Sequence, residues 1–173
     1  MAMRDLLRVL VGFCICLPIA QSAYALMDEE TATTISVACE RLLADYVIFR
    51  DHLDADGFAN TFTEDGQLVL GSGSHIGREA IRRNITSRPT PGVAHMILMT
   101  TVKITPIDEV NATGISYALV LNGDRPVVKG DAPIQMNGIT SAVEDHTEFV
   151  LTNDGWKISR LELKSIFRGP GIA

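Results

Sequence analysis

Four titratable side chains in this chain are candidates for chemistry in an apolar interior: Tyr46, Asp51, His95 and Asp145. Phenols, imidazoles and carboxylates in such settings move protons, because burial shifts their pKa values toward neutrality and strengthens each hydrogen bond. Tyr46 falls on the stripe Ile35, Cys39, Leu42, Tyr46, Phe49 and Leu53, spaced alternately four and three as on one helix face. A core tyrosine with one satisfied partner fits that place equally well. His95 opens the apolar run His95-Met96-Ile97-Leu98-Met99. Its imidazole can give or take a proton near pH 7, or tie a strand end to a loop carbonyl. Asp51 follows Arg50 near the helix end and faces a pocket mouth or water, where Arg50 or His52 can pair with it. Alternation puts Asp145, Thr147, Phe149 and Leu151 on one strand face and Glu144, His146, Glu148 and Val150 on the other. The first set is the more buried, so Asp145 can reach an interior. Phe49, Met96, Met99 and Tyr117 are candidate pocket walls, though core packing explains them as well.

These groups need a frame. Met27 to Thr34 is polar and reads as a frayed lead-in to a helix of about five turns, as judged from its apolar stripe. Asp54 can cap a second helix, Ala55 to Phe62, by accepting its free first-turn amides. Thr63 to Gly66 is a turn, Gln67 to Leu70 a short strand, and Gly71 to Ser74 a flexible loop beside His75. Arg78 to Ser87 reads as a third helix, stopped before Pro89 and Pro91. The period then changes. Ala94 to Thr105, Ala112 to Leu121, Ser141 to Thr152 and Trp156 to Phe167 are long strands rich in β-branched residues. Asn122-Gly123 and Asn153-Asp154-Gly155 stand where hairpin turns are expected, and Pro126 to Gly138 is an ambiguous stretch. Helices followed by a meander of strands predict an α+β fold with helices on one face of a sheet. Three helices cannot cover both faces, which leaves one for a second copy of the chain.

Before this frame lies a different kind of segment. Arg4 and Arg8 precede an apolar run from Val9 to Ala20, and Ala23-Tyr24-Ala25 follows. Positive start, short apolar core and Ala-x-Ala end are the three parts of a secretory signal, so residues 1–25 are expected to be removed and 26–173 to form one domain. The run is too short for a membrane span. The expected location is periplasmic or extracellular; translation from Met27 would instead make the protein cytoplasmic. Losing residues 1–25 moves the formal charge from -6 to -7. An acidic chain without a basic patch is a poor match for nucleic acid. Cys14 and Cys16 leave with the leader, so Cys39 has no internal disulfide partner, and no Cys/His metal motif is visible.

The ordered set Tyr46…Asp51-x-x-Asp54…Phe62-x-x-Asp65-Gly66, Gly77-Arg78-Glu79-Ala80-Ile81, His95 and Gly155-Trp156-Lys157-Ile158 resembles the SnoaL-like branch of the nuclear-transport-factor-2-like superfamily. The match runs through nearly all of residues 26–173. The resemblance implies a cone: a curved antiparallel sheet packed on three N-terminal helices, with one apolar pocket and frequent homodimers through the outer sheet face. Relatives include ketosteroid isomerases, scytalone dehydratase, polyketide cyclases and cofactor-free diarylpropane lyases, which move protons in a dry pocket without metal or nucleotide. It implies Tyr46 as an oxyanion donor and His95 as a proton shuttle, with Asp51 or Asp145 fixing the imidazole. It also sets limits. The isomerase base aspartate aligns with Leu70 and the dehydratase helix aspartate with Ile48, neither of which can take a proton. The expected function is a cofactor-independent lyase, dehydratase or isomerase acting on a small hydrophobic hydroxylated molecule, aromatic or polycyclic. An exported carrier using the same pocket without turnover is the alternative, and fold alone does not choose between them.

Overall fold

A computed structural model of the protein describes residues 27–88, 92–125 and 133–169. The expected leader and its cleavage point lie outside the described residues, as does 126–132 of the ambiguous stretch. Helix α1 spans Glu29–Asp51, several residues earlier than the apolar stripe suggests. The reason is local: Asp28 caps it, accepting from the Thr31 amide at 2.8 Å, and Glu29 and Glu30 complement the positive helix end. Its buried face is Ile35, Cys39, Leu43 and Tyr46, with Leu42 only partly covered. Helix α2 is Ala55–Asn60, capped by Asp54 as its carboxylate takes the Gly57 amide at 2.9 Å. Helix α3 is Arg78–Thr86. Among the described residues no helix is long and apolar enough to cross a membrane.

Six strands follow the order β2-β1-β6-β5-β4-β3. They are β1 Phe62–Leu70, β2 Gly73–Ile76, β3 Gly92–Pro106, β4 Asn111–Arg125, β5 Met136–Thr152 and β6 Gly155–Arg168. The sheet is not wholly antiparallel, since β1 runs parallel to β6. Three local expectations are corrected. Thr63 to Gly66 lies inside β1, across an irregularity between Phe62 and Gln67, rather than forming a turn. The expected loop at Gly71 to Ser74 gives way to β2, which pairs Leu68 with His75; its backbone bonds do not depend on β-forming side chains. Asn122-Gly123 sits within β4, paired with His95 and Ala94, because strand pairing outweighs the turn preference of the dipeptide. Asn153-Asp154-Gly155 does turn, with Gly155 at φ 91°.

Register shifts in β3–β4, β4–β5 and β5–β6 mark bulges that bend long strands and curl the sheet. Helix α1 crosses the concave face and comes closest at β3 and β6. Between helices and sheet lies a core of Ile35, Cys39, Leu43, Tyr46, Phe58, Phe62, Leu68, Ile81, Phe149, Ile158 and Leu161. A smaller cluster, Ile97, Ala118, Val120 and Val143, packs with Val47 and Leu163 farther along the concave face. The concave face is crowded: a Cβ on Gly114 would meet Ile104 Cδ1 at 2.9 Å and Phe149 Cε2 at 3.0 Å. Inner β4 positions are accordingly small, running Ala112, Gly114, Ser116 and Ala118.

Candidate active site

The concave side of β4 and β5 carries two buried polar side chains next to one another. Ser116 and Asp145 are register partners, so their side chains stand together on one face. They are 1 % and 2 % exposed. Among the described residues neither Ser116 Oγ nor Asp145 Oδ1 has a hydrogen-bond partner. Loss of solvent is the main cause that pushes the Asp145 carboxyl up to about 7, while the charges of Arg50 and His146 pull the other way.

Tyr46 descends on this region from α1 and is 2 % exposed. Its ring centroid lies 5.1 Å from that of Phe58 and 6.0 Å from that of Phe62, so two aromatic neighbours fix its plane. Burial, and then the charge of Asp145, push its phenol well above the usual tyrosine range; Arg50 and Arg88 act in the opposite sense. At neutral pH the hydroxyl is therefore a donor.

Arg50 lies one helical turn beyond Tyr46 and acts on both Tyr46 and Asp145. Asp51 holds it, accepting from Arg50 Nη1 at 3.1 Å, while the other Asp51 oxygen accepts from the Ile97 amide at 2.9 Å. Asp51 thus ties the end of α1 to β3. Arg88 follows α3 and donates twice to Asn84, to its carbonyl and its Oδ1, both at 3.2 Å. Among the described residues no three His, Cys, Asp or Glu side chains gather as a metal set would need.

A family model for the SnoaL-like domain matches residues 32–162. The chain belongs to the SnoaL-like domain family. No curated protein matches it in sequence. Solved structures do match this SnoaL-like domain in fold. A function-unknown protein from Mycobacterium tuberculosis, Rv3472, superposes with a TM-score of 0.65 at 22 % identity, over 82 % of this chain and 83 % of that one. An NTF2-like protein with a cystatin-like fold from Novosphingobium aromaticivorans gives 0.58 at 22 %, over 79 % and 83 %. ActVI-ORFA from Streptomyces coelicolor gives 0.62 at 18 %, over 77 % and 98 %.

In this SnoaL-like domain the residues singled out from sequence fall in different places. Tyr46 and Asp145 are both buried, and the charge of Asp145 reaches the Tyr46 phenol. His95 sits on the same concave side but opposite Asn122, six residues along β4 from Ser116, or about 20 Å at strand rise. It lies two residues from Ile97, whose amide donates to Asp51. Met99 faces inward, opposite Ala118. Phe49 packs at the α1–α2 junction, where a Cβ on Gly57 would touch its ring at 2.7 Å. Tyr117 corrects an expectation: it projects from the outer face, 48 % exposed, because its neighbours Ser116 and Ala118 take the inner positions. His75, expected beside a loop, sits in β2 and bonds Asn84 Nδ2 at 3.1 Å. Ser116, Arg50 and Arg88 were not picked out from sequence. Only Ser116 carried a signal, as the one polar residue in the small-residue alternation of β4.

Proposed function

We propose that this SnoaL-like domain is a cofactor-independent lyase, dehydratase or isomerase that moves a proton on a small hydrophobic hydroxylated molecule, aromatic or polycyclic. The burial of Tyr46 and Asp145, with the charge of the carboxylate reaching the phenol, carries this reading. A carboxyl poised at about 7 can take a proton from a substrate and return it without leaving the neutral range. The Tyr46 hydroxyl, held protonated, donates to the substrate oxygen on which charge develops. Arg50 tempers the negative charge that builds between them, and Asp51 keeps that guanidinium in place. Ile97, Ala118, Val120 and Val143 supply an apolar wall for the rest of the ligand. The near-complete burial of its carboxyl favours Asp145 over His95 as the proton-transfer group, leaving His95 and Asp51 to shape the approach. A screen of hydroxylated aromatic dimers and polyketide-like phenols tests this. Turnover is expected from the wild type and from His95→Gln, and not from Asp145→Asn; the opposite order among the two variants would move the chemistry to His95.

We also propose a homodimer through the outer sheet face. Strand register sets Leu98, Ile115, Tyr117, Ile139 and Phe167 on that side, and with Ile166 they are 43–70 % exposed. Tyr117, Leu119, Ala142, Glu144, Ile166 and Phe167 line a groove of about 360 Å³ there. A standard interface needs about 800 Å² per partner, which a belt of this extent can provide. Light scattering is expected to give a dimer mass for the wild type and a monomer mass for Phe167→Arg. A monomeric wild type at high micromolar concentration would sink the proposal.

Export is the third element of the reading, supported by the Arg4–Ala25 pattern. Expressed from Met1 in a Gram-negative host, the protein should be recovered outside the cytoplasm beginning at Leu26. Cytoplasmic protein beginning at Met1 or Met27 would reverse the assignment.

A further inference from the structure

We infer that Ser116 is a second hydrogen-bond donor to the same substrate oxygen that Tyr46 holds, so that the site recognises a phenol, or a carbonyl compound on its way to an enolate, by two hydroxyls rather than one. This rests on the reading of Tyr46 and Asp145 above and deepens it. Three observations lead to Ser116. Its hydroxyl is buried to within 1 % of complete and has no partner among the described residues. Its cross-strand neighbour Asp145 is equally buried and also has one oxygen without a partner. The two orphaned atoms stand side by side on adjacent strands yet do not bond each other. Buried polar atoms without partners are rare, and each costs the folded state the loss of its contact with water. Two together, facing inward where the charge of Asp145 reaches the buried Tyr46 phenol, form a cradle for an oxygen that can accept from the serine and lie beside the carboxyl.

A packing role does not explain the residue. Its inner neighbours along β4 are Gly114 and Ala118, so alanine fits at 116 without steric change. A serine kept there adds an unpaired hydroxyl and little volume. Its donor is useful only when an acceptor arrives. The chemistry of that acceptor follows from its neighbours. Tyr46 and Ser116 both donate, and Asp145 exchanges a proton beside them. The favoured ligand atom is therefore an oxygen that gains negative charge as its proton passes to the carboxylate, as a phenol oxygen does.

The test uses the purified chain with 4-nitrophenol and ring-substituted phenols of graded acidity, read by calorimetry and by the phenolate absorbance band. Wild type is expected to bind these phenols. Ser116→Ala is expected to bind them about tenfold more weakly, as befits the loss of a hydrogen bond to a charged acceptor. Its affinity should also rise less steeply with phenol acidity than that of the wild type. Its melting temperature should hold or increase, because an unsatisfied buried hydroxyl is gone. If Tyr46→Phe weakens binding while Ser116→Ala leaves it unchanged, the inference fails and the Tyr46–Asp145 reading stands. A lower melting temperature with unchanged affinity would assign Ser116 to structure and equally overturn it. If the wild type binds none of the phenols, both readings fall.

Discussion

Asp145→Asn is expected to lose about 10²–10⁴ of turnover and, at the same time, to make the fold more stable above neutral pH. Both effects have one cause. The carboxyl stands at about 7 in the folded chain against an ordinary 3.8, chiefly because it is cut off from water. Between those values the folded protein holds a proton that the unfolded chain has released. The stabilisation is complete below about pH 4, declines as pH rises, and is gone above about 7. A shift of this size corresponds to roughly 4 kcal/mol between the two ends of the window. Asparagine is neutral throughout and keeps the shape, so the variant should melt about 10 °C above wild type at pH 8 and close to it at pH 4. Thermal unfolding of both proteins from pH 4 to 9 measures the difference. Parallel curves would show that Asp145 is not a buried, readily neutralised carboxyl, and the proposed proton-transfer role would go with it. A residue that weakens the fold near neutral pH, and whose removal strengthens the fold but stops the proposed turnover, would have the mark of a functional group.

Tyr46→Phe should lower turnover by about 10²–10³, the usual consequence of removing one donor from a developing oxyanion. The fold should hold. Phenylalanine keeps the ring and hence its contacts with Phe58 and Phe62 at 5.1 and 6.0 Å. Tyr46→Ala, in contrast, opens a hole in the main core and should cost about 3–5 kcal/mol, so only the phenylalanine variant separates chemistry from stability. Combined with Asp145→Asn it should be little worse than the worse single variant, because the two groups serve one proton transfer. If the protein is a carrier, the wild type turns over none of the aromatic probes. Both variants then change ligand affinity by only a few-fold, about the worth of one hydrogen bond. A substrate turned over equally well by wild type and Tyr46→Phe would rule out the oxyanion role and leave the fold assignment untouched.

What local pattern alone could establish about this protein was the set of elements and the inner face of one strand. Apolar spacing marks α1, Asp54 marks the start of α2, and period-two alternation puts Asp145, Thr147 and Phe149 together on the side that proves buried. These are properties of a few consecutive residues, and helix and strand periods read them directly. The ordered motifs reached further, to the SnoaL-like family and its curved sheet. Tertiary structure decided what depends on partners far away in the chain. The parallel pairing of β1 with β6 and the recruitment of Gly73 to Ile76 as β2 are bonds between distant backbones, to which side-chain preferences are nearly blind. The choice between Ser116 and Tyr117 is the clearest case. Residue type favours the tyrosine as a pocket wall, but side chains on a concave face converge, and that side of β4 is small from Ala112 to Ala118. Bulky apolar groups such as Ile115 and Tyr117 are therefore turned outward. Packing likewise brings the charge of Arg50 within reach of both Tyr46 and Asp145, because α1 crosses the sheet at an angle that local pattern does not set.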